Sequence, residues 1–288
     1  MSKTSILVLV IICLFLARPY VDNSVEVESV SNQNTVPNVI WSYWNSEDIP
    51  KIVQISQNAL RKHNPDYEVI LITPKTLSLY VDQSELHPSF SSKSPAHQSD
   101  IIRMVLLCKF GGCWVDASML WNKSIDDMFK KKQHVEFSGF YISKYSDSEK
   151  VIENWFIRCS PNSKFIKLWK KEFYEAMNHK VLYVLRHNHQ RQKISLQSTL
   201  YLTQHLCALS VLSKHPELKR NFELYEAEKT AFSVFVEFDW DSEKIIHYLQ
   251  SKESKNHNLD VVKLRGCDRK FLNYQTIHPD SFIGQMIR

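Results

Sequence analysis

The chain has 288 residues, 43% of them hydrophobic and 23% charged, and a formal net charge of +5. That length supports one large core or one domain with an elaborated second half, and the composition excludes a disordered or fibrous chain. The Lys and Arg are spread along the sequence, which argues against a nucleic-acid partner and suits small anionic ligands such as nucleotide diphosphates.

Lys3 precedes an apolar run from Ser5 to Ala17, and Arg18-Pro19 closes it. A helix of that length spans roughly 20 Å against a hydrocarbon core of roughly 30 Å, so the run matches a signal-peptide core. Phe15 stands where a cleavage site wants a small residue, which favours a short uncleaved signal-anchor over a cleaved signal peptide. Residues 1–18 are read as this leader and 19–37 as a flexible stem. Residues 38–270 form the folded domain, and 271–288 a polar C-terminal tail. Either leader sends the chain into the secretory pathway. The expected place is the Golgi or ER membrane, single-pass type II with a luminal domain; secretion is the alternative. Beyond the leader, Cys108, Cys113, Cys159, Cys207 and Cys267 lack CxxC spacing, so zinc is not expected. Asn122-Lys123-Ser124 is one glycosylation sequon, compatible with a lumen.

Val39 to Trp44 reads as the first strand, and Pro50 opens a helix to about His63. Tyr67 to Ile72 is a second, interior strand. Thr73-Pro74 starts a short helix to about Val81, and 82–93 is irregular. Ser94-Pro95 starts the main helix, with Ile101, Ile102, Val105, Leu106 and Phe110 on its buried side. The chain has only five glycines, and two adjacent ones, Gly111-Gly112, end this helix and turn the backbone into a strand that delivers Asp116. This alternation opens a doubly wound α/β sheet, and such sheets bind ligands at the C-terminal ends of their strands. Phe137 to Ile142, Glu153 to Arg158, Val234 to Phe238 and Val261 to Arg265 read as later strands. Pro161 to Asn178 and Leu196 to Leu212 read as helices.

Asp100 and Arg103 share one helix face; spacing alone fits an ordinary i,i+3 ion pair as well as a polar pair aimed into a nucleotide site. Asp116, at the end of an apolar strand, is placed either to cap a helix or to bind a nucleotide-associated Mg²⁺ or Mn²⁺. Such an ion needs only one or two protein carboxylates.

The string SDIIRMVLLCKFGGCWVDASML, residues 99–120, resembles the capsular polysaccharide synthesis family of sugar transferases, which is related to the transferases with a D-x-D motif. Its fixed positions are matched by Ser99, Asp100, Arg103, Gly111, Gly112, Trp114, Asp116 and Ala117. Weaker landmarks are Pro50-Lys51-Ile52, Asn154-Trp155-Phe156-Ile157 and Lys263-Leu264. The resemblance implies a GT-A-type α/β fold and metal-dependent transfer of a sugar from a UDP- or GDP-sugar to a glycan, glycolipid or protein. It hints at retention of anomeric configuration. It implies that Asp116 binds the metal, Mn²⁺ or Mg²⁺, with the ribose as a further partner, and that Asp100 and Arg103 contact the nucleotide. Trp44, or else Trp41 or Tyr43, would lie against the base, and Lys263 would meet the leaving diphosphate; a core aromatic and a surface lysine are the plain alternatives. Ser118 stands where the second carboxylate of D-x-D would be and is a weak metal ligand, with Glu237, Asp239 and His278 as other candidates. No residue is identifiable as nucleophile or base. A catalytically impaired nucleotide-sugar-binding or scaffold protein on the same fold is the main alternative. A phosphohydrolase with Asp116 as nucleophile is a second.

Overall fold

Strand β1 (Val39–Tyr43) pairs in parallel with β2 (Glu68–Ile72), placing Ile40 beside Val69 and Ser42 beside Leu71. The helix Lys51–His63 connects them, burying Ile52, Val53, Ile55, Ala59 and Leu60 and leaving Arg61, Lys62 and His63 in its last turn. Cations there complement the negative end of the helix dipole. The helix Pro95–Phe110 then leads into β3 (Gly112–Val115), which is parallel to β1 on its other side. Ser94 is extended at the N-cap and Pro95 fills the first helical position, where its missing N–H costs nothing. These features belong to a computed structural model that describes residues 35–130, 135–145, 149–187, 200–256 and 259–288.

The main sheet has six strands in the order β2-β1-β3-β6-β5-β7. Strand β6 (Val151–Cys159) lies antiparallel between β3 and β5 (Phe137–Ile142), and β7 (Phe222–Glu226) is parallel to β5. A second sheet joins β4 (Met119–Trp121) and β8 (Val261–Lys263). Apolar layers cover both faces of the main sheet, and alternation along β3 shows it: Cys113 and Val115 enter one layer, Trp114 the other. This mixed α/β architecture agrees with the α/β class the resemblance implied.

Several local expectations are corrected. The run Val234 to Phe238, expected as a strand, is the short helix Ser233–Glu237. Val234 and Phe235 are both buried while Val236 is exposed, a helical pattern that five residues are too few to reveal by period. The segment after Thr73-Pro74 makes a single 3-10 turn, Leu77–Leu79, instead of a helix to Val81. The expected polar tail contains the helix Phe282–Ile287. The Ser281 hydroxyl accepts from Gly284 N–H at 2.9 Å, and Phe282, Ile283 and Met286 are buried in the core. The helix expected from Pro161 begins at Lys164, behind the cap Ser163, and runs to Asn178. Thr203–Lys214 is the described part of the helix expected from Leu196. The leader and nearly all of the stem lie outside the described residues. Among those residues no helix is long and apolar enough to cross a membrane, and no disulfide joins the cysteines.

Candidate nucleotide-sugar site

The site begins at the double glycine. Gly111 and Gly112 have φ of 65° and 89°, values that side-chain-bearing residues rarely adopt. A Cβ would lie 2.5 Å from Pro161 N at Gly111 and 2.5 Å from Val39 Cγ1 at Gly112. The glycines thus let helix pass into strand with no intervening loop. Strand β3 ends one residue before Asp116, whose N–H donates to Trp155 O at 2.9 Å and whose carbonyl accepts from Met119 N–H at 3.0 Å. That tight turn brings β4 back, and β4 carries its partner β8 with it. Met119 lies opposite Lys263.

Asp116 sits among cations. Its Oδ1 accepts from Arg103 Nη2 and from Trp114 Nε1, both at 2.9 Å, and its Oδ2 accepts from Lys263 Nζ at 2.8 Å. Burial pushes the Asp116 carboxyl up, but the charges of Lys263 and Arg103 outweigh it and hold the group below the ordinary carboxylate range.

Arg103 is only 3% exposed. Its Nη1 pairs with Asp100 Oδ1 and donates to Gln204 Oε1 at 2.9 Å, and its guanidinium lies 5.0 Å from the Trp114 ring. Asn154 Nδ2 donates to Asp100 Oδ1 at 3.1 Å and to Gln204 Oε1 at 2.6 Å. The structure therefore gives Asp100 and Arg103 a place beneath the site and outside its wall. Arg103 Nη1 and Nη2 are engaged with Asp100, Gln204 and Asp116, while its buried Nε has no partner.

Above this network opens a cavity of about 580 Å³, the size of a small-molecule site, lined by residues of β1, β3 to β4, β6 and the segment after β8. Trp44 and Tyr43 line it, as do Asp116, Ser118 and Lys263. Trp41 does not: its Nε1 donates to Gly111 O at 3.0 Å, and its ring packs on Phe110 and Tyr80. The alternatives for the base-stacking aromatic are thereby reduced to Trp44 and Tyr43. The side chain of Lys263 is 16% exposed and points into the cavity network, so the surface-lysine alternative does not hold.

Sequence reasoning missed other wall residues. Arg269 lies 5.6 Å from the Trp44 ring and donates from Nη1 to Ser118 Oγ at 2.8 Å. The loop bearing Arg269 is fixed by Asp268, fully buried, whose carboxylate accepts from Arg265 and from Ser242 Oγ. Lys144 lies 3.7 Å from the Trp240 ring. Glu153 and His205 meet at 3.2 Å on another part of the wall. Here the sequence signal was confined to Asn154 and Trp155, beside Glu153.

A family model described as "Capsular polysaccharide synthesis protein" matches residues 15–216. The chain belongs to that family. Among curated relatives, O-glycosyltransferase braB of Annulohypoxylon truncatum is 28% identical over 153 residues, 46% of this chain and 36% of the relative. Inositol phosphoceramide mannosyltransferase 3 of Schizosaccharomyces pombe is 25% identical over 114 residues, 38% of this chain and 32% of the relative. The matched part of this capsular-family chain thus spans about a third of their length. Among solved structures, PaToxG Glycosyltransferase is 14% identical and covers 85% of this chain and 87% of its own, with a TM-score of 0.46.

A divalent ion, which the family resemblance implies, does not fit the donor set this family member presents. Mg²⁺ demands near-octahedral oxygen ligation at roughly 2.1 Å. The two residues expected to hold it are Asp116, both of whose oxygens carry cationic or N–H donors, and Ser118, whose hydroxyl is held by Arg269. Glu237, Asp239 and His278 are not among the cavity's lining residues.

The paired carboxylates also set a pH dependence. Burial raises the Asp268 carboxyl, but hydrogen bonds from Arg265 and Ser242 reverse that and leave it depressed, like Asp116. A depressed group binds protons more weakly in the folded state, so its stabilisation is full above the unfolded value of about 4 and is lost as pH falls through the folded value. Urea midpoints of the chain are expected to stay level from about pH 7 to about pH 5 and to drop below about pH 4. Asp268→Asn should flatten that drop; an unchanged slope in the variant would remove Asp268 from the account.

Proposed function

We propose that this chain is a glycosyltransferase that binds a nucleotide-sugar donor in the cavity above Asp116 and transfers the sugar to an acceptor hydroxyl. The supporting observation is the convergence, at the C-terminal ends of β1 and β3, of one oriented carboxylate with Lys263, Arg269 and Trp44. Trp44 offers a face to the base, and Lys263 and Arg269 offer cations to the diphosphate. Asp116 offers an acceptor to a ribose or sugar hydroxyl. Asp100, Arg103, Asn154 and Gln204 hold Asp116 in place, acting as positioning residues. Charge develops on the departing nucleoside diphosphate during transfer, and fixed cations aimed at it are the main electrostatic aid a protein can give. No step runs through a divalent ion.

The printed activities of the relatives, O-glycosyltransferase and inositol phosphoceramide mannosyltransferase, support a hydroxyl acceptor on a glycan, glycolipid or protein. Retention of configuration belongs to the same proposal and is read from the anomeric proton of the product by NMR. An Asp116 nucleophile, as in a phosphohydrolase, is disfavoured because both its oxygens are ion-paired. The apolar run Ser5 to Ala17 supports a luminal placement behind a membrane anchor, in the Golgi or ER. Protease protection of a tagged chain in microsomes tests it, and digestion without detergent would refute it.

The function is tested by screening UDP- and GDP-sugars for thermal stabilisation of the chain and for donor hydrolysis. One donor class should give both. Asp116→Asn should lower hydrolysis by about 10²-fold, the lower end of what loss of one preorganised oxyanion-hole donor costs. Full activity in that variant would exclude Asp116, and silence across the donor panel would refute the reading.

A further inference from the structure

The motif of this chain has Asp116 without the second carboxylate, and Ser118 in its place. The structure shows what surrounds both. Lys263 Nζ lies 2.8 Å from the Asp116 oxygen not engaged by Arg103 and Trp114. Arg269 Nη1 lies 2.8 Å from Ser118 Oγ. Each position that would hold a divalent ion is therefore matched with a fixed side-chain cation. The arrangement is built into the backbone: the turn after Asp116 starts β4, β4 pairs with β8, and that pairing sets Lys263 opposite Met119. Asp268 fixes the loop that brings Arg269 in.

Resting on the donor-binding reading above, we infer that Lys263 and Arg269 replace the divalent cation, so that this protein binds and activates its nucleotide-sugar donor without metal. A lysine ammonium has three donors. One is on Asp116, leaving two for diphosphate oxygens in the cavity. Asp116 keeps the ammonium aimed, and Arg103 keeps Asp116 aimed. Arg269, between Trp44 and Ser118, presents its planar fork to the same diphosphate. In the transfer step the bond between the anomeric carbon and the β-phosphate oxygen breaks, and its electron pair stays on the diphosphate. The acceptor hydroxyl oxygen bonds to that carbon, and its proton ends on the diphosphate or in water. Lys263 and Arg269 stabilise the charge left on the diphosphate and are consumed in no step.

The test is calorimetric titration of the full chain with UDP and with GDP, once in EDTA and once in Mn²⁺. The expected result is tight binding of one nucleotide in EDTA, within about twofold of its affinity in Mn²⁺. Lys263→Ala should weaken binding by about tenfold or more in both buffers, as loss of a half-buried charge on phosphate does. Lys263→Arg should restore most of it. Lys263→Ala combined with Ser118→Asp, which rebuilds a second carboxylate, should make binding depend on Mn²⁺. Wild-type binding that needs Mn²⁺ and vanishes in EDTA would overturn this inference while leaving the transferase reading standing. Absence of binding in both buffers would overturn both. Because the wild-type comparison decides by itself, an unfolded variant does not rescue the inference.

Discussion

Arg103→Ala is expected to destabilise the fold by about 3–5 kcal/mol, the range for breaking a buried charge network by removing one partner. Folded domains hold only about 5–15 kcal/mol in all, so much of the population should be unfolded at mild urea concentrations. Arg103 is 3% exposed and joins three chain segments: Asp100 on its own helix, Asp116 after β3, and Gln204 on the helix Thr203–Lys214. Its removal leaves Asp100 and Asp116 with less compensation and Gln204 Oε1 with Asn154 alone among these partners. Arg103→Lys should recover little, since one ammonium cannot bridge the same three acceptors across the fork that a guanidinium spans. A double-mutant cycle with Asp100→Asn separates the two contributions. Coupling is expected, because the residues share one network, and strict additivity would show that Arg103 acts alone. The folded fraction of Arg103→Ala should also bind the donor nucleotide more weakly, because Asp116 loses one of its two cationic anchors.

The parts of this site that were legible in the sequence are those specified locally. The helix from Ser94, the double glycine and the strand that delivers Asp116 follow from capping, backbone freedom and apolar runs within about twenty residues. The partners of those residues were not legible. Gln204 stands 101 positions from Arg103 and Lys263 stands 147 from Asp116, and only the folded sheet brings them together. Asp100 and Arg103 illustrate the difference. Their i,i+3 spacing made an ion pair evident, but it did not reveal that Arg103 also reaches Asp116 and Gln204. Arg269 left no trace, since a cation in a polar segment resembles any solvated one until the buried Asp268 is seen holding its loop. The helix Phe282–Ile287 was hidden by its six residues, too few to show a period, although Ser281 supplies an ordinary cap.

Gly112→Ala should cost about as much as the loss of Arg103, through the backbone instead of charge. Gly112 has φ of 89°, where a non-glycine residue carries about 1–3 kcal/mol of strain. The added Cβ would also sit 2.5 Å from Val39 Cγ1 and 2.8 Å from Val39 O, and forcing a methyl into packed surroundings typically costs about 1–3 kcal/mol more. Val39 begins β1, so relief of the clash must move β1 away from β3 where Ile40 faces Cys113 and Trp41 faces Trp114. Trp114 donates to Asp116, so the displacement is passed to the carboxylate itself. The variant is therefore expected to lose stability in urea and, in the fraction that folds, donor affinity as well. Val39→Ala removes the nearest clashing atom but neither the carbonyl contact nor the φ strain. The double variant should thus recover part of the stability and leave the rest missing. Full recovery would show that side-chain crowding alone makes Gly112 necessary, and no recovery would assign the whole effect to the backbone.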